Sequence, residues 1–296
     1  MEYIKLNNGV QMPMLGFGVY QIPKEETKKC VLETIKSGYR LIDTAQSYFN
    51  ESEVGEAIEE CGVERSELFI TTKIWIDNYG YDKCRASVMD SLRKLKTDYI
   101  DLVLLHQPFS DYYEAYRALE DLYDLGVIRA IGVSNFYPDR LSDICLFERN
   151  IIPAVNQVEV NPLNAQFRAQ ENMQGLGVTM EAWAPFGEGK NGLFENEILV
   201  NIGKQYGKTS AQVMLRWLIQ RGIVVVCKSV HQKRMIENMN VFDFELSDED
   251  MKRIRSLDTS SSLFFSHYDP KMVKWFDEIV KSRRNNEDCR KDKKNW

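Results

Sequence analysis

Eight short apolar runs, alternating with stretches of helical period, constrain this chain more than any other feature. The runs are 17–19, 41–42, 68–70, 100–105, 128–133, 154–155, 178–180 and 223–226. Helix-period stretches cover 25–37, 51–61, 82–95, 112–125, 139–147, 166–176, 196–205, 210–220 and 232–240. Continuously apolar strands joined by helices indicate a parallel sheet buried on both faces. Eight such units in roughly 240 residues predict an α/β fold closed as a (β/α)8 TIM barrel. A doubly wound open sheet is the competing architecture. Its dinucleotide fingerprint is missing, because Gly16-Phe17-Gly18 leads to Gln21 where the pattern requires glycine.

The remaining chain fits around that barrel. Residues 3–15 alternate about Asn7-Asn8-Gly9, a hairpin signal, and the hairpin can plug one barrel end. No Pro/Gly/Ser-rich linker divides residues 1–296, so a single domain is expected. Residues 246–257 read as a helix with Ser247 as N-cap and Asp250 three residues on. An irregular loop, 259–270, and a helix over 272–281 follow. From about 282 the chain is polar and charged, and fraying is expected.

Net charge is −6, which disfavours nucleic-acid binding because that needs a basic footprint. No apolar run approaches the ~20 residues of a membrane span, and the N-terminus does not read as a signal peptide. The six cysteines are irregularly spaced and form no C-x-x-C pair. They read as buried free thiols in a reducing compartment, hence a cytoplasmic protein. Three histidines with no H-x-H or H-E-x-x-H pattern speak against a zinc hydrolase, and no metal is expected.

Chemistry-bearing residues stand where the strands end. Asp43, Lys73, His106, Ser134-Asn135, Asn156-Gln157, Trp183 and Lys228-Ser229 follow seven successive apolar runs. One such residue is a capping device, but seven converging at one mouth describe an active site. The loop after Asp43 adds Tyr48. A phenol, with a pKa of about 10, is a weak acid near neutrality. An adjacent ammonium is expected to lower that pKa, a carboxylate to hold the ammonium, and a histidine to orient a substrate oxygen. The set suits proton delivery to an oxygen on which negative charge develops, which is half of a carbonyl reduction. The other half requires a hydride, hence a nicotinamide.

From the hairpin to about residue 276 the chain resembles an aldo-keto reductase. Gly38-Tyr39-Arg40-x2-Asp43-Thr44-Ala45-x2-Tyr48-x-Asn50-Glu51-x3-Gly55 resembles the family's first signature. Lys228-Ser229-x4-Arg234-x2-Glu237-Asn238 resembles its cofactor signature. The resemblance implies a catalytic tetrad of Asp43, Tyr48, Lys73 and His106, with Tyr48 as proton donor. It implies nicotinamide contacts from Ser134, Asn135 and Gln157, and stacking on Trp183, where tyrosine is usual. It also implies that Ala184, Phe186 and Gly187 line the pyrophosphate. Lys228, Ser229 and Arg234 would grip a 2′-phosphate, with Glu237 and Asn238 at the adenine, so NADPH is the implied cofactor. Tyr20, Phe49, Trp75, His106 and Gln107 are candidates for the substrate pocket, joined by Phe264 and Phe265. The sequence departs from the family at Gln107, where many members have tryptophan, at Cys227 for proline, and at Gln46 for a smaller residue.

The function expected is NADPH-dependent reduction of small or aromatic aldehydes and ketones by a monomer or weak homodimer. The alternative is a non-catalytic NADPH-binding or structural protein on the same barrel. A phosphate-binding hydrolase or an aldolase with Lys73 as a Schiff base lacks supporting residues around the lysine.

Overall fold

The computed structural model describes residues 1–147 and 150–292, with side chains as far as Arg283. Strands β1 (Tyr3–Lys5) and β2 (Gln11–Pro13) form the expected antiparallel hairpin, turning through Gly9 at φ 88°. Asn7 Nδ2 donates to the Pro153 carbonyl at 3.1 Å and Asn8 Nδ2 to that of Arg129 at 2.9 Å. Both carbonyls precede barrel strands, so the hairpin covers the N-terminal end of the barrel.

The barrel strands are β3 (Leu15–Gly18), β4 (Leu41–Asp43), β5 (Phe69–Ile74), β6 (Leu102–Leu105), β7 (Ile131–Ser134), β8 (Val155–Glu159), β9 (Thr179–Trp183) and β10 (Val224–Cys227). They pair in parallel and in chain order, and β10 returns to β3 with Val225 opposite Leu15. The helices are α1 (Lys24–Lys36), α2 (Glu51–Glu60), α3 (Tyr81–Leu95), α4 (Tyr112–Asp124), α5 (Pro138–Leu146), α6 (Phe167–Gly175), α7 (Glu197–Tyr206), α8 (Ser210–Gln220), α9 (Gln232–Met239), α10 (Asp248–Arg255) and α11 (Pro270–Asp292). None of them, over the described residues, is long and apolar enough to cross a membrane.

The stretch from Gly38 to Gly55 shows how the sequence builds one unit. Gly38 adopts φ 101° and donates its N–H to Ile35 O at 3.0 Å, while Tyr39 donates to Thr34 O at 3.3 Å. That double bond satisfies carbonyls at the end of α1 and turns the chain into β4. Gly55 lies where α2 meets α3. A Cβ there would fall 2.1 Å from the Lys94 carbonyl oxygen, so any side chain would force the two helices apart.

Two elements differ from the sequence reading. Strand β8 runs past Val155 to Glu159, although Asn156, Gln157 and Glu159 are polar. Asn156 donates to Phe136 O at 2.7 Å and Gln157 to Asp43 Oδ2 at 2.9 Å, so their polar atoms find partners inside the fold. The last helix is longer than the stretch 272–281 read from the sequence and runs from Pro270 to Asp292. Phe276 and Val280, one turn apart, are buried and dock the helix. The pair Lys281–Asp277 at 2.7 Å supports its exposed face. Residues 293–296 lie outside those described. Cys30, Cys84, Cys145 and Cys227 are free and buried, and Cys61 is free and half-buried. The Cys289 side chain lies outside those described.

Candidate active site

The register of β4 and β5 sets Asp43 opposite Thr71, which puts Lys73 on the same inward face, two residues nearer the C-terminal mouth. Both side chains are buried. Lys73 Nζ lies 2.6 and 2.7 Å from the two oxygens of Asp43, 3.2 Å from Thr44 O and 3.3 Å from Tyr48 Oη. Burial pushes the Lys73 pKa down, but Asp43 overrides it and holds the ammonium above its ordinary value. Tyr48 closes a 3-10 turn, Gln46–Tyr48, that ends on Phe49 in the left-handed region at φ 59°.

Here one expectation is corrected. Lys73 pulls the phenol's pKa down as anticipated, but burial is the larger effect and pushes Tyr48 up to about 12. Removing a phenolate from water costs more than one ammonium returns when Asp43 already neutralises that ammonium.

His106 follows β6 and donates its backbone N–H to Ile74 O at 3.1 Å. Its Nδ1 is 3.4 Å from Ser47 Oγ. Its ring stands edge-on to Tyr48 at 5.7 Å and to Trp75 at 5.1 Å. Burial, followed by the charges of Lys73 and Arg283, holds its pKa well below the usual value. The imidazole is therefore neutral and keeps one N–H to donate.

The residues expected to hold a nicotinamide are tied directly to this group. Ser134 Oγ donates to Gln157 O at 2.9 Å, and Asn135 Nδ2 to His106 O at 3.0 Å. Gln157 Nε2 donates to Asp43 Oδ2 at 2.9 Å. Trp183 donates its indole N–H to Asn135 Oδ1 at 2.9 Å and meets Phe264 edge-on at 5.1 Å. Beyond it Ala184 is left-handed at φ 49°, Phe186 packs on Phe194 at 5.6 Å, and Gly187 approaches Leu263 so closely that a Cβ would lie 2.6 Å from it.

Further round the mouth, Lys228 and Arg234 are exposed and neither has an ion-pair partner among the described residues. Ser229 Oγ accepts the His231 N–H at 3.1 Å. Helix α9 starts just after these groups, and no side chain caps its first turn. Two cations and open backbone N–H groups form a donor set suited to a phosphate. Glu237 and Asn238 have structural partners: Glu237 Oε1 accepts from Thr209 Oγ1 at 2.9 Å, and Asn238 Nδ2 faces Cys227 Sγ at 3.7 Å.

At the mouth, Tyr20 and Phe49 are exposed and Trp75 is buried. Tyr20 stands 4.9 Å from the Tyr48 ring. Gln107 Oε1 lies 2.7 Å from His267 Nε2, which ties it to the C-terminal loop. Phe264 covers the Trp183 side, whereas Phe265 packs among His267, Trp275 and Phe276. Sequence reasoning passed over Ser47, Glu181 and Arg283. Glu181 was signalled by a lone carboxylate in the middle of an apolar strand. Arg283 lies in a stretch whose composition carries no hint of docking.

Residues 14–259 match the model of the aldo/keto reductase family. The glyoxal reductase of Bacillus subtilis (strain 168) is 46% identical over 258 residues, covering 86% of this chain and 92% of that protein. The methylglyoxal reductase DkgA of Escherichia coli (strain K12) is 39% identical over 263 residues, covering 88% and 94%. Among solved structures, a Bombyx mori aldo-keto reductase in complex with NADP superposes with a TM-score of 0.85 at 34% identity, covering 89% of this chain and 95% of that one. The chain belongs to the aldo/keto reductase family. It is an oxidoreductase working between carbonyl and alcohol groups with a nicotinamide cofactor.

Proposed function

We propose that the protein reduces small aldehydes and ketones with NADPH, and that Tyr48 is the proton donor. The carrying observation is the unbroken chain from the Asp43 carboxylate through Lys73 Nζ to Tyr48 Oη, 3.3 Å away. When bound, the cofactor supplies the hydride. Tyr48 gives its proton to the carbonyl oxygen as charge develops there, and the Lys73 ammonium stabilises the phenolate left behind. With Nδ1 engaged by Ser47 Oγ, the other ring nitrogen of neutral His106 is left to orient the carbonyl. Ser134, Asn135 and Gln157 present a hydroxyl and two amides, the groups that recognise a carboxamide. Lys228 and Arg234 favour the cofactor carrying an extra phosphate.

The relatives named for glyoxal and methylglyoxal reduction support a small dicarbonyl or aldehyde as substrate. Free thiols fit a reducing, cytoplasmic setting. The test is NADPH oxidation in the presence of methylglyoxal and of an aromatic aldehyde. Tyr48→Phe should keep NADPH binding and lose about 10² to 10⁴ in rate. Wild-type-like turnover in the variant would rule out the assignment.

A further inference from the structure

A carboxylate is buried beneath the proposed nicotinamide site. Glu181 stands in the middle of β9, fully buried, and neither of its oxygens has a hydrogen-bond partner among the described residues. It lies two residues before Trp183 and so on the same inward face, roughly 7 Å deeper in the barrel. Register sets it opposite Gln157 of β8. Trp183 and Gln157 are two of the groups proposed to hold the nicotinamide, so Glu181 occupies the layer below that ring.

The ionisable groups around it have partners or fixed charge states. Strands β3, β6 and β7 carry no ionisable side chain. Strands β4 and β5 bring Asp43 and Lys73, which pair with each other at 2.6 Å. Glu159, at the end of β8, accepts from Ser262 Oγ at 2.5 Å and from the Leu263 N–H at 3.0 Å. Cys227 of β10 faces Tyr39 and Asn238, and burial pushes its thiol up to about 11. At the mouth Tyr48 keeps its proton and His106 is neutral. Burial, then the charge of Asp43, raises the Glu181 pKa to about 8, while Gln157 and Lys73 pull the other way. A modest change in nearby charge is enough to ionise such a group. Cofactor oxidation is a change of that kind, because the reduced ring is neutral and the oxidised ring is a cation. At an effective dielectric of about 20, opposite charges ~10 Å apart attract strongly enough to alter a proton's affinity roughly tenfold.

We propose that Glu181 reads the charge of the cofactor: it keeps its proton against NADPH, releases it to solvent when NADP⁺ binds, and as a carboxylate tightens the hold on the cationic ring. The bound proton opposes the ring's positive charge, so NADP⁺ binding is favoured as pH rises, and NADPH binding does not follow. Near neutrality the protonated acid holds NADP⁺ less firmly, which eases release of the oxidised cofactor after reduction. The proposal rests on the reading of Trp183 and Gln157 as nicotinamide contacts. Glu181 is a positioning residue in this scheme and gives no proton to the carbonyl.

The test measures dissociation constants for NADP⁺ and NADPH by quenching of protein fluorescence, for the wild type, Glu181→Gln and Glu181→Asp. The 2′-phosphate is common to both cofactors, so its own titration cancels in their ratio. In the wild type the ratio of Kd for NADP⁺ over NADPH should fall about tenfold from roughly pH 6 to pH 9. In Glu181→Gln an amide stands in for the protonated acid, and the ratio should stay near the wild-type value at the acid end. Glu181→Asp should keep part of the slope, because a titrating group remains. A wild-type ratio constant within about twofold, or an equal slope in Glu181→Gln, overturns the proposal.

Calorimetry on the wild type gives a second readout that needs no variant. Binding is measured near pH 7.5, in two buffers of different ionisation enthalpy. NADP⁺ should release roughly half a proton more than NADPH. Equal proton release by the two cofactors counts against the role of Glu181 alone. If neither cofactor binds, the nicotinamide reading fails and this proposal falls with it.

Discussion

Lys73 and Asp43 form a buried, two-point ion pair, with Nζ at 2.6 and 2.7 Å from the carboxylate oxygens. The pair sits between the expected proton donor, Tyr48, and the expected nicotinamide contact, Gln157, which also donates to Asp43. On the proposed reading it joins the proton-delivery half of the site to the hydride half.

Lys73→Met should abolish most activity and also destabilise the fold. Removing one partner of a buried pair leaves an uncompensated charge and typically costs about 3–5 kcal/mol. Replacing both partners is milder. The double variant Asp43→Asn/Lys73→Met should recover much of the melting temperature while staying inactive. Recovery of activity along with stability would show that the pair is structural only.

The pH dependence follows from the sign of the Tyr48 shift. The phenol, pushed up to about 12, stays protonated across the working range. Reduction needs that proton, which is present below the folded value, so its rate should not fall between roughly pH 6 and pH 9 through loss of the acid. Alcohol oxidation needs the phenolate and should rise with pH over the same interval, at up to about tenfold per unit. A reduction profile that drops with a midpoint near 7 would assign the proton to another group.

Glu181 offers a stability test. It lies on β9, fully buried, and neither carboxylate oxygen has a hydrogen-bond partner among the described residues. Burial, reinforced by Asp43, raises its pKa to about 8. A free glutamate titrates near 4.3. Between those values the folded protein keeps a proton that the unfolded chain releases, so stability falls as pH rises through the window. The wild-type loss should be on the order of a few kcal/mol. Glu181→Gln removes the titrating group, so its melting temperature should decline less from about pH 5 to pH 8. Parallel declines for the two proteins would show that Glu181 is ionised in the fold at both ends of the range.

The barrel was legible because parallel strands buried on both faces leave a continuous apolar trace, and because functional residues cluster where such strands stop. Asp43, Lys73, His106 and Trp183 each announce themselves in that way. Tyr48 was legible only through its spacing from Asp43. What remained hidden depends on the third dimension. That burial outweighs Lys73 at the phenol cannot be read from neighbours in sequence. Nor can the Trp183–Asn135 hydrogen bond, which spans 48 residues. The extent of α11 was hidden because the sequence from 282 onward is polar and charged, and Phe276 and Val280 mark where the helix docks.

The choice of cofactor can be tested at Arg234. NADPH and NADH differ by one phosphate on the adenosine ribose. Lys228 and Arg234 are exposed cations beside the uncapped start of α9, whose backbone N–H groups and dipole also favour an anion. Hydrogen bonds to a charged group contribute about 1.5–3 kcal/mol. Arg234→Ala should therefore weaken NADPH by roughly ten- to a hundredfold. NADH lacks the phosphate and has only stacking to lose, so it should weaken less. Added salt should likewise weaken NADPH more than NADH, since screening acts on the extra charge. Dissociation constants are measured by quenching of protein fluorescence, for which Trp183, held by Asn135, is a reporter at the expected nicotinamide end. Equal losses for the two cofactors would mean that Arg234 does not read the phosphate, and the preference would then fall to Lys228 and Ser229.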